Sequence, residues 1–496
     1  MFVGRLDVRC SMLEVFFVAE HRAPSILLSC VKNNRSNEKN RTLITDNVLK
    51  TRRLNRFLRN IAIIILLLPV LGTAQTFHLP DGQRSEKLKF RLINNLIIIP
   101  MEVNGTELSF ILDSGVDKPI LFNLSDQDSV QINNVSEITI KGLGDGKPIK
   151  ALRSHGNTFR SKYIENRDQQ LFVVLDKDMN FSPTLGIPIH GIMGYDLFRD
   201  FVVEIDYGRK ILKFHDPETY VHRKNKRQES LPLSIIQKKA YIDGNLILKG
   251  EQPVRLLVDT GSSDAIWLFE NGTINVPDKY YEDFLGKGLN GNIFGKRTKV
   301  DTIQIGRFAL KDAKVAFPDK KSFSAIKNLG SRNGSVGGEV LKRFNIVFDY
   351  SRNKIVLQKN RNFNTPFQYN LSGLSLQHDG VRYIAESITD SRGVVHSEEK
   401  SFGDVQILFE TRTRLSLMPE IIVSGIRAGS PAHEAGLLEG DVILAVNGKR
   451  IHRYELQEVL EMLNEKEGKR VKIQIERHAQ DLTFSFVLKD MFKEKR

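Results

Sequence analysis

Cysteine is nearly absent from this chain of 496 residues. Its two cysteines, Cys10 and Cys30, both lie near the start, and none follows Cys30. This absence excludes a disulfide framework, a thiol nucleophile and a cysteine-ligated metal site from the rest of the chain. Such a chain folds in an oxidising compartment without the risk of mispaired disulfides.

Long apolar runs are also missing. The longest one, Ile61–Leu71, has 11 residues, whereas a helix that crosses a bilayer needs about 20. Four arginines between positions 52 and 59 precede it, and small residues ending at Ala74 follow it. This is the order of a secretory signal. We therefore expect residues 1–74 to be an N-terminal extension and signal peptide cleaved after Ala74, and the mature protein to be secreted or periplasmic with no integral membrane span.

The sequence gives little support for nucleic-acid or metal binding. The formal net charge is +14, and residues 1–60, with 12 Lys/Arg and 5 Asp/Glu, account for +7 of it. The other half is spread out, without a basic stripe interleaved with aromatic residues. The histidines lack the spacing of a zinc motif, and the glycine-rich segments lack the Lys-Ser/Thr of a phosphate loop. We expect no cofactor, no metal and no nucleic-acid partner.

Two similar stretches, each with Asp-Ser/Thr-Gly, occur in the chain. Leu108–Phe122 reads LSFILDSGVDKPILF and Val254–Trp267 reads VRLLVDTGSSDAIW, which sets Asp113 and Asp259 146 positions apart. In each stretch an apolar, strand-like run precedes the aspartate. A strand that ends in a tight glycine turn holds a carboxylate at a fixed point, so two such strands facing each other would hold a pair.

Matching landmarks follow both motifs. Gly142 stands 29 residues after Asp113 and Gly288 stands 29 after Asp259; farther on, Ser335–Tyr350 matches Ile192–Tyr207. One Asp-Thr-Gly is easily a chance turn, but two with the same surroundings indicate a duplication of about 130 residues. We predict two lobes, at 75–220 and 231–360, joined by a basic linker at 221–230.

The duplicated segments resemble the pepsin-like and retropepsin-like aspartic proteases over about residues 90–360. VDTGSSDAIWL resembles the active-site loop of that family, and SVGGEVLKRFNIVFDYSRNKIVL resembles the segment that closes a lobe. ILDSGVDKPILF with GIMGYDLFRDFVVEIDY is a less regular version. The resemblance implies a mainly β, bilobal fold of two β-barrel lobes and an aspartic-type endopeptidase that acts on polypeptide substrates.

The resemblance also implies roles for particular residues. Asp113 and Asp259 would be the catalytic pair, in which one carboxyl stays protonated and the other takes a proton from water. The loops would be supported by hydroxyls that lock them together, by glycines that let them approach and by a serine beside Asp259: Ser114, Gly115, Thr260, Gly261 and Ser262. The glycine-rich segments at Gly142, Gly144 and Gly288 are candidate flap hairpins, although no tyrosine lies within Gly142–Gly146.

The last third of the chain has a different character. After a linker at 361–368, Ile421–Arg450 reads IIVSGIRAGSPAHEAGLLEGDVILAVNGKR and resembles the PDZ domains of bacterial envelope proteases. The resemblance implies an α+β PDZ domain at 369–491 that takes a C-terminal peptide ligand. Its peptide-binding loop would be Gly373, Leu374, Ser375 and Leu376, followed by a long polar insert between 377 and 420. In this reading the domain docks or regulates polypeptide substrates, and the alternative is that it packs on the protease and binds nothing.

Two classes of function remain open. The first is an active endopeptidase. The second is a catalytically inactive peptide-binding envelope protein on a protease scaffold, in which the less regular first lobe has lost the required geometry. Both aspartates, both hydroxyls and both glycines are present, which favours the enzyme.

Overall fold

The computed structural model describes residues 7–9, 14–17, 76–124, 129–141, 148–223, 225–247, 250–289, 291–323, 330–396 and 405–492. The predicted signal peptide with its cleavage site after Ala74, and the flap candidates Gly142 and Gly144, lie outside these residues. The described chain is mainly β-structure with short helices, which confirms the predicted fold class. Among these residues, no helix combines the length and the apolar character that a membrane crossing requires.

The first lobe is a sheet that curls on itself, with two short helices. Strand β9 pairs with β10 and also with β5, so β5, β6, β11, β7, β10 and β9 form a closed ring. The elements are β1 (Asp7–Arg9), β2 (Glu14–Phe17), β3 (Ser85–Lys89), β4 (Arg91–Ile93), β5 (Leu96–Val103), β6 (Thr106–Asp113), β7 (Ile120–Leu121), β8 (Ser136–Lys141), β9 (Ile149–Ser161), β10 (Ile164–Val174), α1 (Ser182–Leu185), β11 (Gly191–Gly194), α2 (Tyr195–Asp200), β12 (Val202–Asp206) and β13 (Ile211–His215).

The second lobe repeats this plan. Strands β16, β17, β22, β18, β21 and β20 form the corresponding closed ring, because β20 pairs with β16. The elements are β14 (Gln228–Pro232), β15 (Ser234–Ile236), β16 (Lys239–Ile247), β17 (Glu251–Val258), β18 (Ile266–Leu268), β19 (Tyr281–Gly288), β20 (Gly291–Ile305), β21 (Phe308–Pro318), β22 (Gly334–Val336), α3 (Gly338–Leu341), β23 (Phe344–Asp349) and β24 (Lys354–Lys359), with 3₁₀ turns at Lys320–Phe323 and Tyr350–Arg352.

Local sequence explains the hairpins that shape each lobe. Asn104 and Gly105, at the turn between β5 and β6, have φ angles of 47° and 94°, and Asn94 and Asn95, between β4 and β5, have 46° and 66°. Two successive positive φ angles give a turn whose twist matches that of the flanking strands, and Asn and Gly adopt such angles most readily. The turns therefore fix the register of the strands that lead to Asp113.

A third sheet joins the two lobes. Its strand order is β14-β24-β23-β12-β13-β3, so three strands come from each lobe and β12 meets β23 at the centre. The central register pairs Val203 with Phe348 and Ile205 with Ile346. Side chains of this sheet belong to one hydrophobic core that extends through both lobes. The predicted basic linker therefore ends in a strand, β14, that begins at Gln228.

The C-terminal module has its own hydrophobic core and a sheet of order β25-β26-β27-β29-β30. The predicted polar insert lies in two long strands that pair as an antiparallel ribbon. The elements are β25 (Leu374–His396), β26 (Val405–Ile426), α4 (Pro431–Glu434), β27 (Val442–Val446), β28 (Lys449–Arg450), a 3₁₀ turn (Ile451–Arg453), α5 (Leu456–Met462), β29 (Arg470–Arg477) and β30 (Gln480–Val487).

Candidate active site

The two aspartates stand at equivalent ends of equivalent strands. Asp113 is the last residue of β6, which pairs in parallel with β11. Asp259 directly follows β17, and its N–H donates to the carbonyl of Val336 on the parallel strand β22, at 2.9 Å. Both side chains are buried, with 1% exposure each. Each carboxyl group is thus held where a strand ends inside the molecule.

The two Asp-Ser/Thr-Gly loops are interlocked by their hydroxyl groups. The Ser114 N–H donates to Thr260 Oγ1 at 2.9 Å, and the Thr260 N–H donates to Ser114 Oγ at 3.1 Å. Ser114 Oγ donates to the carbonyl of Val258 at 2.7 Å, and Thr260 Oγ1 donates to that of Leu112 at 2.8 Å. All four bonds cross from one lobe to the other, so the loops are fixed as a unit.

Each glycine binds the carboxyl group of its own loop, and Gly261 also lies against that of the other lobe. The Gly115 N–H donates to Asp113 Oδ1 at 2.7 Å, and the Gly261 N–H donates to Asp259 Oδ1 at 3.1 Å. A Cβ atom placed on Gly261 would lie only 2.2 Å from Asp113 Cγ and 2.3 Å from its Oδ2. No side chain other than hydrogen fits there. Gly261 therefore touches both carboxyl groups, one through its N–H and the other through its Cα.

The next residue of each loop anchors the helix behind it. The Ser262 carbonyl accepts the Gly338 N–H at 2.7 Å, and the Val116 carbonyl accepts the Tyr195 N–H at 3.0 Å. Both Ser262 and Val116 are buried. The structure thus brings together Asp113, Ser114, Gly115, Asp259, Thr260, Gly261 and Ser262.

Comparison with known families agrees with this geometry. Residues 99–197 match a family model described as Aspartyl protease, and residues 422–477 match one described as PDZ domain. The chain contains an aspartyl protease domain followed by a PDZ domain. The first match covers the lobe that holds Asp113, where the motif is the less regular, and the second begins in β26 and ends with β29. The architecture expected from the sequence is confirmed.

Each lobe of the protease domain also forms a polar contact with the active-site loop of the other lobe. In the turn between β4 and β5, Asn95 Nδ2 donates to the Ser263 carbonyl at 2.8 Å. In the equivalent turn between β15 and β16, Lys238 Nζ lies 2.8 Å from Asp117 Oδ1. Sequence reasoning missed these contacts. The repeat does indicate that the two residues occupy equivalent positions. Asn95 and Lys238 are 143 positions apart, the same separation as Tyr207 and Tyr350.

Two long hairpins extend from the lobes of the protease domain. In the first, β8 pairs with β9, and the tip between them lies outside the described residues. In the second, β19 pairs with β20, and Gly288 faces Gly291 at the end of the ladder. The flap candidate Gly288 thus lies at the tip of a hairpin.

The tip of the second hairpin reaches the first lobe. Leu289 is 5% exposed and packs in a hydrophobic cluster with Val116 and Met179, and Lys287 Nζ donates to the carbonyl of Asp178. A cavity of about 550 Å³ lies between these parts. It is lined by residues 148–150, Leu175, Asp176, Asp178 and Met179 of the first lobe and by Lys287, Leu289 and Gly291 of the second. The hairpin tip therefore spans the two lobes beside the loop that carries Asp113.

Buried ion pairs surround the active-site loop of the second lobe. Asp264 Oδ1 lies 2.7 Å from Arg297 Nη1, and Arg297 Nε lies 2.7 Å from Asp283 Oδ2. Burial acts to raise the pKa of Asp264, but the charges of Arg297 and Lys314 hold it below its ordinary value. Lys314 Nζ also contacts Glu339, which is 1% exposed. These pairs connect the Asp259 loop to the hairpin β19–β20.

The first lobe has a simpler arrangement at the equivalent place. Lys118 Nζ lies 3.1 Å from Asp196 Oδ1, and the same carboxylate accepts from Gln169 Nε2 at 2.7 Å and lies 3.0 Å from Arg199 Nη1. Lys118 and Asp264 each stand five residues after the aspartate of their lobe. Within the described part of the chain, no three His, Cys, Asp or Glu side chains are grouped so that they could hold a metal ion.

The PDZ domain differs in detail from the sequence prediction. Of the residues Gly373, Leu374, Ser375 and Leu376, only Gly373 lies in the turn, with φ +82°, and the other three begin strand β25. Leu374 and Leu376 are buried in the core of the domain. The loop before β25 is therefore Asn370–Gly373.

The amide groups of this loop are bonded within the domain. Asn464 Oδ1 accepts the N–H groups of Leu371 at 2.7 Å and Ser372 at 3.4 Å. Asn370 Oδ1 accepts that of Gly373 at 2.8 Å, and Ser372 Oγ accepts that of Leu374 at 3.3 Å. A peptide carboxylate would have to displace these side-chain oxygens to bind the same amides.

Proposed function

We propose that this protein is an aspartic-type endopeptidase in which Asp113 and Asp259 act together on a bound water. The observation that carries the proposal is the interlock of the two loops, through Ser114 and Thr260, with Gly261 in contact with both carboxyl groups. Two carboxyl groups about 3 Å apart cannot both ionise at low cost, so such a pair keeps one proton.

The chemistry needs only these two groups and water. The ionised carboxylate takes a proton from the water, whose oxygen attacks the peptide carbonyl carbon. The protonated carboxyl gives its proton to the carbonyl oxygen, and a neutral tetrahedral intermediate forms. The first carboxyl then returns its proton to the nitrogen as the C–N bond breaks, while the second recovers a proton from the intermediate's hydroxyl. The pair ends in its starting state, and no covalent enzyme intermediate forms.

The PDZ domain would dock or regulate polypeptide substrates. Its fold adds an extended peptide to the edge of β25, and the predicted ligand is the C-terminal segment of a polypeptide. We also propose export to the periplasm or the outside of the cell, with cleavage after Ala74. Such a cut would remove β1 and β2 from the edge of the first-lobe sheet, and N-terminal sequencing of the exported protein would detect it.

The test of the peptidase proposal is digestion of a denatured protein by the purified chain at pH values from 3 to 8. We expect cleavage by the wild type, inhibition by pepstatin, and loss of cleavage in Asp259→Asn. Thr139→Val, at an exposed position on β8, is the control for folding and purification. Equal cleavage by the wild type and Asp259→Asn would assign the activity to a contaminant and reject the proposal.

A second candidate is a catalytically inactive peptide-binding protein on the same scaffold. The observation that favours it is the burial of both aspartates to 1% exposure. If the wild type cleaves nothing at any pH, and both it and Asp259→Asn bind denatured polypeptide equally in a pull-down, this candidate replaces the first.

A further inference from the structure

The peptide groove of the PDZ domain faces the protease domain. Strand β25 is the edge of its sheet, and helix α5 packs beside it. Leu374 and Leu376 of β25, with Leu456 of α5, are buried in the same core. In PDZ domains, an added peptide strand lies between such an edge strand and such a helix.

A turn of the first lobe lies at one end of this groove. Helix α1 contacts β25, and Gly186 follows it with φ +73°. A Cβ atom placed on Gly186 would lie 2.8 Å from Leu456 Cβ and 3.6 Å from His378 Cε1. The Gly186 backbone therefore sits between a β25 side chain and the first residue of α5, where a peptide ligand would pass.

Polar contacts also hold the start of α5 against the first lobe. Arg91 Nη2 lies 3.1 Å from Glu455 Oε1, and the Asn94 N–H donates to Gln457 Oε1 at 3.2 Å. Glu455 and Gln457 flank Leu456 at the start of α5. At the other end of the groove, Asn464 Oδ1 bonds the loop amides of Leu371 and Ser372. The groove is thus contacted by the protease domain at one end and closed by its own side chains at the other.

The segment that enters the groove also holds the tip of the hairpin β19–β20. Asp178 and Met179 line the cavity between the lobes and contact the hairpin tip through Lys287 and Leu289. Only Asn180 and Phe181 separate Met179 from helix α1. A shift at Gly186 would therefore move the site at which the first lobe holds the hairpin tip.

The PDZ domain holds the base of the same hairpin as well. Phe492 lies 5.5 Å from the Tyr281 ring and its carbonyl accepts from Lys279 Nζ at 2.8 Å, and the Arg427 guanidinium lies 4.5 Å over Tyr281. The preceding linker is fixed to the second lobe, where the Glu339 carboxylate accepts the Gln368 N–H at 2.7 Å. The PDZ domain thus contacts both the base of the hairpin and the segment of the first lobe that holds its tip.

We propose that the Gly186 turn is an internal occupant of the PDZ groove, and that an extended peptide pairing with β25 competes with it and thereby loosens the hairpin tip beside the loop that carries Asp113. The partner is a polypeptide segment that adds a strand to β25 and places an apolar side chain against Leu456. The inference deepens the proposed function, because it makes binding at the PDZ domain a switch for the peptidase.

The first test uses His378→Trp in the full chain, with hydrogen exchange followed by mass spectrometry. The larger ring occupies the space of the Gly186 turn, so amides of residues 182–190 and 284–289 should exchange at least tenfold faster than in the wild type. Gln377→Trp, at the next position on β25 and facing away by strand alternation, should leave them unchanged. Unchanged exchange in a folded His378→Trp protein would overturn the proposal.

The second test does not depend on a bulky substitution. Arg91→Glu places two acidic groups together and should weaken docking, whereas the charge-swapped pair Arg91→Glu with Glu455→Arg should restore it. The probes are fluorescein-labelled decapeptides that end in Ala, Val, Leu or Phe. We expect at least one to bind Arg91→Glu about threefold more tightly than the wild type or the swapped pair. Equal affinity for all three proteins, or no binding to any, contradicts the proposal.

Both tests are independent of catalysis. If no form of the chain cleaves protein but exchange and peptide binding change as expected, the peptidase proposal fails and the switch stands. If the wild type cleaves and neither exchange nor affinity responds to these substitutions, the switch fails and the peptidase stands.

Discussion

The two lobes use the same backbone but balance their charges differently. At the position five residues beyond the aspartate, the first lobe has Lys118 and the second has Asp264. Lys118 forms an ion pair with the acidic Asp196. In the second lobe both Asp264 and Glu339 are acidic, and Lys314 contacts the two of them. The second lobe therefore needs two added cations, Arg297 and Lys314. A duplicated fold preserves the strands and turns, while each half pairs its buried charges with its own residues.

The largest effect should come from testing whether the lobes contribute equally to catalysis. Asp113→Asn and Asp259→Asn each leave one carboxyl group without its partner, so each should lower kcat/KM by a factor of about 10³ or more. The measurement is the hydrolysis of a quenched fluorescent peptide. A variant that keeps more than a tenth of the wild-type rate would show that its aspartate is not part of a pair.

The second-largest effect is a difference in stability between the buried charge networks of the two lobes. Arg297→Met leaves the buried Asp264 and Asp283 without their shared cation, which should lower the free energy of unfolding by about 3–5 kcal/mol. Lys118→Met leaves Asp196 bonded to Gln169 and Arg199 and should cost about 1–3 kcal/mol. Urea denaturation measures both. Equal losses would mean that the two networks are equivalent in spite of their different composition.

For the hydroxyl groups that interlock the two loops, we expect the two lobes to lose equal stability. Thr260→Val and Ser114→Ala each remove one hydroxyl that accepts an N–H and donates to a carbonyl across the lobes. Each should cost about 2 kcal/mol of unfolding free energy, because a buried N–H loses its acceptor. Thr139→Val is the exposed control and should change stability by less than about 0.5 kcal/mol. A loss confined to one variant would show that only one loop depends on the lock.

The smallest effect is a dependence on pH at a position where the two lobes differ. A hydrogen bond from His215, with support from Lys213, lowers the pKa of Glu204 on β12 from 4.5 to about 2, whereas the second lobe has Val347 at the equivalent position. The lowered pKa adds stability above about pH 4.5 that is lost as the pH falls through 2. Glu204→Gln should cost about 1 kcal/mol at pH 7 and nothing near pH 2. Thermal melts from pH 2 to 7 measure this, and a constant difference would contradict it.

Much of the site could be predicted because its determinants are local. Asp113 and Asp259 follow apolar runs and precede glycines, and Gly288 marks the tip of a hairpin at the same spacing as its counterpart. The ion pair of Asp264 with Arg297 could not be predicted, because the residues are 33 positions apart and no periodic pattern connects them. Its position depends on the tertiary register of β20.

The ribbon of β25 and β26 was missed for a different reason. Its apolar side chains alternate as in a strand, but Tyr383 and Leu415 are 75% and 68% exposed, so no core explains the alternation. The polar residues between these apolar ones led to the prediction of a polar insert rather than two strands. Two of the four hydrogen bonds to amides at the loop before β25 could not be predicted either, because their acceptor, Asn464, lies 93 and 92 positions away in the sequence.

The pairing of β12 with β23, where the two lobes meet, has the symmetry of a duplicated chain. Val203 pairs with Phe348 and Ile205 with Ile346, and position 348 corresponds to 205 in the repeat just as 346 corresponds to 203. A copy of β12 would therefore fit against β12 itself in the same register, as two-fold symmetry requires. A half-length ancestor would have met its own twin along this strand and formed the paired carboxyl groups between two identical molecules. With both halves in one chain, each can change independently, and the different buried charges of the two lobes are an example.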